Sequence, residues 1–146
     1  LNKYIKNFGE ISFVDYGCGK GRVMLVAMEI GFKQVIGLEL SPLLVNQCLE
    51  NLDKYCRRNS CQSKFLVLEQ NAATYLPPSD ACVFYLFNPF SPVIFEQVMK
   101  QIAISIGKNP RQVYILMFQS GFNFQSTGFR LIDQTTGVSI FTNMPC

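Results

Sequence analysis

Histidine is absent from these 146 residues. That removes the side chain most used for proton transfer near neutral pH, and no partner remains to complete a mixed cysteine–histidine zinc site. Long apolar runs are also absent. No stretch approaches the 18 or so residues read as a membrane-spanning helix, so no membrane partner is expected. Charge is scarce, at 16% of residues, and its balance is a mild +3. Lys54, Arg57, Arg58 and Lys64 cluster, but Glu50 and Asp53 interrupt them. A solvated helix end is therefore favoured over a nucleic-acid patch. No internal repeat or low-complexity tract is visible, and the length predicts one domain, residues 1–146, large enough to bury a core. The chain opens on Leu1 rather than methionine and its first strand begins only ten residues in, so a missing N-terminal segment is expected.

A disulfide framework is not expected from the six cysteines. Cys18 falls in a glycine-rich turn, Cys82 in an apolar run and Cys48 in a helical pattern, where cysteine acts as a small apolar residue. Cys56 and Cys61 alone lie close in sequence. Reduced, structural thiols predict a cytoplasmic protein.

What is present in abundance is alternation of strand and helix patterns. An apolar run, Ile11–Tyr16, leads into Gly17-Cys18-Gly19-Lys20-Gly21 and a helical pattern from Lys20 to Ile30, with Gly31 as its stop. Strand Gln34–Glu39 precedes Ser41-Pro42, an N-cap serine followed by proline at the first helical position. The helix to Arg58 puts Leu44, Gln47, Cys48, Asn51, Leu52 and Tyr55 on one stripe. Lys64–Glu69 reads as a central strand. Ala81–Phe87 is continuously apolar, as strands buried on both faces of a parallel sheet are. A helix over Pro92–Ile106, a strand over Gln112–Phe118, and strands Phe129–Gln134 and Val138–Asn143 complete the chain. The last two are joined by Thr135-Thr136-Gly137 and predict a closing hairpin. This order predicts a doubly wound α/β sheet, mostly parallel, with an antiparallel C-terminal hairpin and helices on both faces.

The glycine turn after the first strand is the nucleotide-binding corner of such a sheet. Glu39 ends the second strand 22 residues after Gly17, near the roughly 20-residue separation of a ribose-binding carboxylate. An ionised carboxylate only accepts hydrogen bonds, which suits two vicinal hydroxyl donors. A dinucleotide fingerprint needs a third glycine where Arg22 stands. Arg22 and the closing hairpin therefore both weigh against a nicotinamide-dependent oxidoreductase.

The run Asp15-x-Gly17-x-Gly19-Lys20-Gly21-Arg22 resembles motif I of the class I S-adenosylmethionine-dependent methyltransferases. With Gly37-Leu38-Glu39-Leu40-Ser41-Pro42 and Phe87-Asn88-Pro89-Phe90, the whole pattern is similar to a group of small bacterial methyltransferases of unassigned substrate. The resemblance implies a seven-stranded Rossmann-like sheet and S-adenosyl-L-methionine as cofactor. Its cofactor contacts would come from Asp15, Gly17, Cys18, Gly19, Lys20, Gly21, Glu39, Leu40, Asn71 and Ala72. In the family, the acid at Asp15 receives turn N–H groups and helps hold the methionine ammonium. The position of Asn71 usually carries an acid that binds the adenine amino group; here an amide stands instead, and a plain turn asparagine is an equal reading. Asn88-Pro89-Phe90 is similar, in shortened form, to the Asn/Asp-Pro-Pro-aromatic motif of amino-group methyltransferases. It implies Asn88 and Pro89 aiming a nitrogen lone pair at the methyl group, with Phe90 as a wall. The methyl acceptor itself is not identified, and no metal is expected. A methyltransferase-like module that binds without turnover is the alternative from another class.

Overall fold

The computed structural model describes residues 1–87, 90–118, 124 and 127–143. Seven strands, β1 (Ser12–Tyr16), β2 (Gln34–Glu39), β3 (Lys64–Glu69), β4 (Ala81–Leu86), β5 (Tyr114–Phe118), β6 (Arg130–Thr135) and β7 (Val138–Thr142), form one sheet in the order β3-β2-β1-β4-β5-β7-β6. Strands β1 to β5 run parallel, while β7 pairs antiparallel with both β5 and β6. The reversed end is the expected hairpin, turned at Gly137 with φ of 85°, a conformation open to glycine at little cost.

Among the described residues three α-helices cover the faces: α1 (Arg22–Ile30), α2 (Pro42–Arg58) and α3 (Pro92–Lys108). Side chains alternate across a strand, and the two cores follow from that. Phe13, Val35 and Val83 pack with Met24, Ala27 and Met28 of α1 and with Cys48 and Leu52 of α2. Val14, Tyr16, Phe84 and Leu86 pack with Phe95, Val98, Met99 and Ile102 of α3. Ser41 and Ser91 cap α2 and α3 by accepting from Leu44 N and Ile94 N, each with proline next.

Several expectations need correction. Strand β3 is the sheet's edge rather than a central strand, since it pairs only with β2 and its side chains are at most half-buried. Its apolar content serves one helix-covered face, which a single strand's composition does not reveal. Helix α1 begins at Arg22 rather than Lys20, because Gly21 takes a left-handed φ of 83° at the N-cap. On α2 the buried residues are Val45, Cys48 and Leu52, so the stripe is rotated towards Val45. Cys56 and Cys61 are joined in a disulfide, against the expectation that all thiols are reduced. Asn59 ends α2 and the chain turns back, leaving a Cα–Cα distance of 5.2 Å, within the span of such a bridge. Cys18, Cys48 and Cys82 are free. Among the described residues no helix is long and apolar enough to cross a membrane.

At the amino edge of the sheet, Arg111 holds the entry to β4 against the end of α3. Its guanidinium donates to the carbonyl oxygens of Ala81, Ser105, Asn109 and Pro78 at 2.9–3.2 Å and to the Ser105 hydroxyl at 2.8 Å. Ser105 in turn donates to the Pro77 carbonyl at 3.0 Å. Few other side chains could reach so many acceptors, because only arginine carries five donors in a fixed fork.

Candidate functional site

Ligands of open α/β sheets bind beyond the carboxyl ends of the parallel strands, and there the glycine turn meets Glu39. Gly17 N and Cys18 N both donate to the Leu38 carbonyl at 2.9 Å, which ties the turn to β2. Glu39 accepts at Oε2 from Gly19 N at 3.1 Å, and at Oε1 from Leu40 N at 2.8 Å and Ser41 N at 3.0 Å. A carboxylate offers about four lone-pair sites, so three are occupied and one, on Oε2, remains open. Gly17, Gly19 and Gly21 all have positive φ. A Cβ on Gly19 would meet nothing within 4 Å, whereas one on Gly21 would stand 2.6 Å from Cys48 Sγ. Gly19 thus leaves open space beside the acid, and Gly21 allows α2 to pack closely.

A cavity of about 410 Å³ opens at this edge, lined by Gly17, Leu38, Glu39, Leu40, Gln70, Asn71, Ala72, Phe90, Ser91 and Ile94. A larger one, about 520 Å³, lies near the starts of β2 and β3, lined by Lys33, Gln34 and Lys64 among others. The smaller cavity is the candidate site, because it combines the carboxyl edge, the glycine turn and an oriented acid.

Of the residues singled out from sequence, Gly17, Glu39, Leu40, Asn71, Ala72 and Phe90 meet around this cavity. Gly19 joins them through its bond to Glu39. Lys20 does not line the cavity; it is exposed, its carbonyl accepting from Asn51 Nδ2 at 3.0 Å. Cys18 and Gly21 are buried behind the turn. Asn71 caps the short 3₁₀ turn Ala72–Thr74, its Oδ1 accepting from Ala73 N at 2.9 Å. It therefore fills the turn role and still lines the cavity. Phe90 meets buried Tyr16 edge-on, with ring centroids 6.4 Å apart. Asn88 and Pro89 lie outside the described residues.

Asp15 differs from expectation in its bonding. The turn's N–H groups of Gly17, Cys18 and Gly19 go to Leu38 and Glu39, and no hydrogen bond to the Asp15 carboxylate is present among the described residues. It is 2% exposed, and burial, reinforced by the charge of Glu39, pushes its pKa up to about 7. Desolvation disfavours the ionised form, and a like charge nearby adds to that.

Gln70, Ser91 and Ile94 were not singled out from sequence. A signal for them existed, because Ser91-Pro92 repeats the Ser41-Pro42 cap that brings a helix start to the carboxyl edge. Gly37 was read as a strand residue and part of the Gly37–Pro42 pattern, with no packing role. A Cβ there would clash with Met24 and Cys18, so α1 and the glycine turn depend on its absence.

The fold is that of the class I S-adenosylmethionine-dependent methyltransferases. A candidate methylase from Haemophilus influenzae superposes with a TM-score of 0.72 at 20% identity, covering 99% of this chain and 85% of that one. Magnesium protoporphyrin IX methyltransferase from Synechocystis, determined with bound SAH, gives 0.67 at 12% identity over 94% and 74% of the two chains. In sequence, the chain is similar to curated methyltransferases. Ribosomal protein L11 methyltransferase of Lachnospira eligens is 27% identical over 106 residues, 73% of this chain and 32% of the relative. That of Janthinobacterium sp. is 31% identical over 64 residues, 44% of this chain and 19% of the relative. The chain thus spans about a third or less of the curated relatives it matches. No family model matches it.

Proposed function

We propose that this chain is an S-adenosylmethionine-dependent methyltransferase acting on a nitrogen nucleophile. The observation that carries the reading is Glu39: an acid at the carboxyl edge, oriented by three N–H groups, lining a cavity beside the glycine turn. The SAH bound in the Synechocystis neighbour and the methyltransferase relatives support the same cofactor.

Glu39 would hold the ribose. Its open Oε2 site takes one hydroxyl, and a second hydroxyl gains an acceptor only by displacing Gly19 N–H, the longest of the three bonds. Asp15, near the neutral–ionised balance, would face the cofactor's ammonium, whose charge favours the carboxylate. Asn71 and Ala72 would border the adenine, and Phe90 would wall the methyl end. When bound, the cofactor supplies an electrophilic methyl on a sulfonium that leaves as a neutral thioether. The protein's part is alignment, which can lower a barrier by roughly 7–11 kcal/mol. With no histidine in the chain, an amine that arrives neutral fits this site best, since it needs no general base. Asn88 and Pro89 are proposed to orient that amine by accepting its N–H hydrogens. The ribosomal protein named in the relatives supports a protein as the acceptor class.

Calorimetric titration with S-adenosylmethionine and, separately, with NADH tests the cofactor. Saturable binding of the first alone is expected, and preference for NADH overturns the reading. Methyl transfer is then measured against amines, peptides and nucleic acids. Binding without transfer to any of them favours a non-catalytic module.

A further inference from the structure

Behind the glycine turn, on the side away from the cavity, three sulfur atoms from three elements come together. Cys18 lies in the turn, Met24 in α1 and Cys48 in α2, and they are 7%, 0% and 0% exposed. The Cys48 thiol donates to Met24 Sδ at 3.7 Å. Gly37 marks where Met24 and Cys18 approach each other. A Cβ there would press on Met24 Sδ and stand 2.7 Å from Cys18 Sγ, so these two sulfurs flank one point. Gly21 supplies the remaining clearance, since its Cβ would lie 2.6 Å from Cys48 Sγ. Two glycines without side chains therefore bound one sulfur cluster, and both thiols in it are free.

We propose that Cys18, Met24 and Cys48 form a soft-metal site that takes one Cu(I) ion between two thiolates and a thioether. Thiolate and thioether donors together select Cu(I) among biological ions, whereas zinc sites are completed by four nitrogen, sulfur or oxygen ligands. Among the described residues no three His, Cys, Asp or Glu side chains converge on a metal position, so the thioether is what makes this cluster a third-ligand site. A metal–thiolate bond of about 2.3 Å in a trigonal plane spaces the sulfurs about 4 Å apart. The Cys48–Met24 separation of 3.7 Å is close to that. Each thiol gives its proton to solvent as its bond to copper forms, so two protons leave per ion and no oxidation state changes. The bound ion would cross-link the cofactor turn to both helices that pack behind it.

The test is transfer of Cu(I) from its bicinchoninate complex to the full chain, with ascorbate present. Wild type should take one equivalent, release two protons and gain thermal stability, as a ligand bound to the native state alone requires. Cys18→Ser and Cys48→Ser should each lose the equivalent and the thermal shift. Cys48→Ala replaces Cys48→Ser if the hydroxyl unfolds the core, with melting of the copper-free variants as the check. Met24→Leu keeps the bulk and should weaken binding by at least the ~10-fold seen for loss of a supporting metal contact. The Cys56→Ser/Cys61→Ser pair and Cys82→Ser should bind as wild type does. Failure of wild type to take copper overturns the site, as does uptake that survives Cys18→Ser or depends on Cys56 and Cys61. The three sulfurs would then only fill the core.

Discussion

Arg111 at the amino edge and Asp15 at the carboxyl edge are both charged groups held close to the sheet, and they are treated in opposite ways. The arginine meets four carbonyl oxygens and a hydroxyl, so its charge is absorbed into the packing of β4 and α3. The aspartate is more deeply buried, lies beside a second acid, and has no hydrogen bond among the described residues. An unpaired buried carboxylate is costly, and nothing in the fold requires one at that position. The difference separates the polarity of Arg111, absorbed into the packing, from polarity left for a ligand at Asp15.

Removing Arg111 should give the largest effect. Arg111→Ala leaves several half-buried carbonyl oxygens without their donor and should cost about 3–5 kcal/mol, since hydrogen bonds to charged groups contribute about 1.5–3 kcal/mol each. Urea denaturation measures it, and cofactor affinity per folded molecule should stay within about twofold. A loss of affinity with stability intact would contradict the division between the edges.

Asp15 should act with the other sign. Its folded pKa, about 7, lies above the unfolded value, so its contribution is fully favourable below pH about 4 and is lost as pH rises to about 7. Asp15→Asn should remove that slope. Without cofactor, the variant should match wild type near pH 4 and exceed it at pH 8 by an amount on the order of 2–4 kcal/mol. With S-adenosylmethionine it should bind more weakly than wild type. Parallel stability curves for the two proteins would show that the carboxylate is not under this strain.

Glu39 lies between the two cases, being partly spent on the fold and partly open. Glu39→Gln keeps the shape but turns one acceptor into a donor. It should cost about 1.5–3 kcal/mol of cofactor binding, the range for hydrogen bonds to charged groups, seen calorimetrically as roughly 10–150-fold. Wild-type affinity in this variant would remove Glu39 from the ribose role.

Much of the candidate site was legible because its signals are local. The glycine turn, the acid at the end of β2 and the Ser-Pro caps each follow from a few adjacent residues, and strand–helix alternation arranges them at one edge. What the sequence concealed depends on partners distant in the chain. Arg111 carries no local signal, because its acceptors at residues 78, 81, 105 and 109 converge on it only in the fold. Strand β3 carries enough apolar residues for the middle of a sheet, but its place at the edge is set by pairing. The Cys56–Cys61 bridge depends on how α2 ends, and apolar context gave no hint of it. Asp15 was placed correctly at the end of β1. Its lack of turn hydrogen bonds follows from the Leu38 carbonyl and Glu39 competing for the same N–H groups.

The smallest effect is expected at the amino edge, where Lys33 Nζ meets Asp80 at 2.6 Å. Burial alone would raise the pKa of Asp80, but the hydrogen bond and charge of Lys33 outweigh it and hold the carboxyl below its ordinary value. A depressed acid contributes stability above its unfolded pKa and loses it as pH falls through the folded one, so its slope is opposite in sign to that of Asp15. Both side chains are substantially exposed, 54% and 33%, and an exposed pair contributes only about 0–1 kcal/mol. A double-mutant cycle of Lys33→Ala with Asp80→Asn should therefore return a coupling in that range, shrinking in high salt as screening predicts. If this pair instead proved worth as much as Arg111, the amino edge would have to be rebuilt around Asp80. If Lys33→Ala also steepened the alkaline loss of stability assigned to Asp15, the two acids would not be independent, and the contrast between the edges would fail.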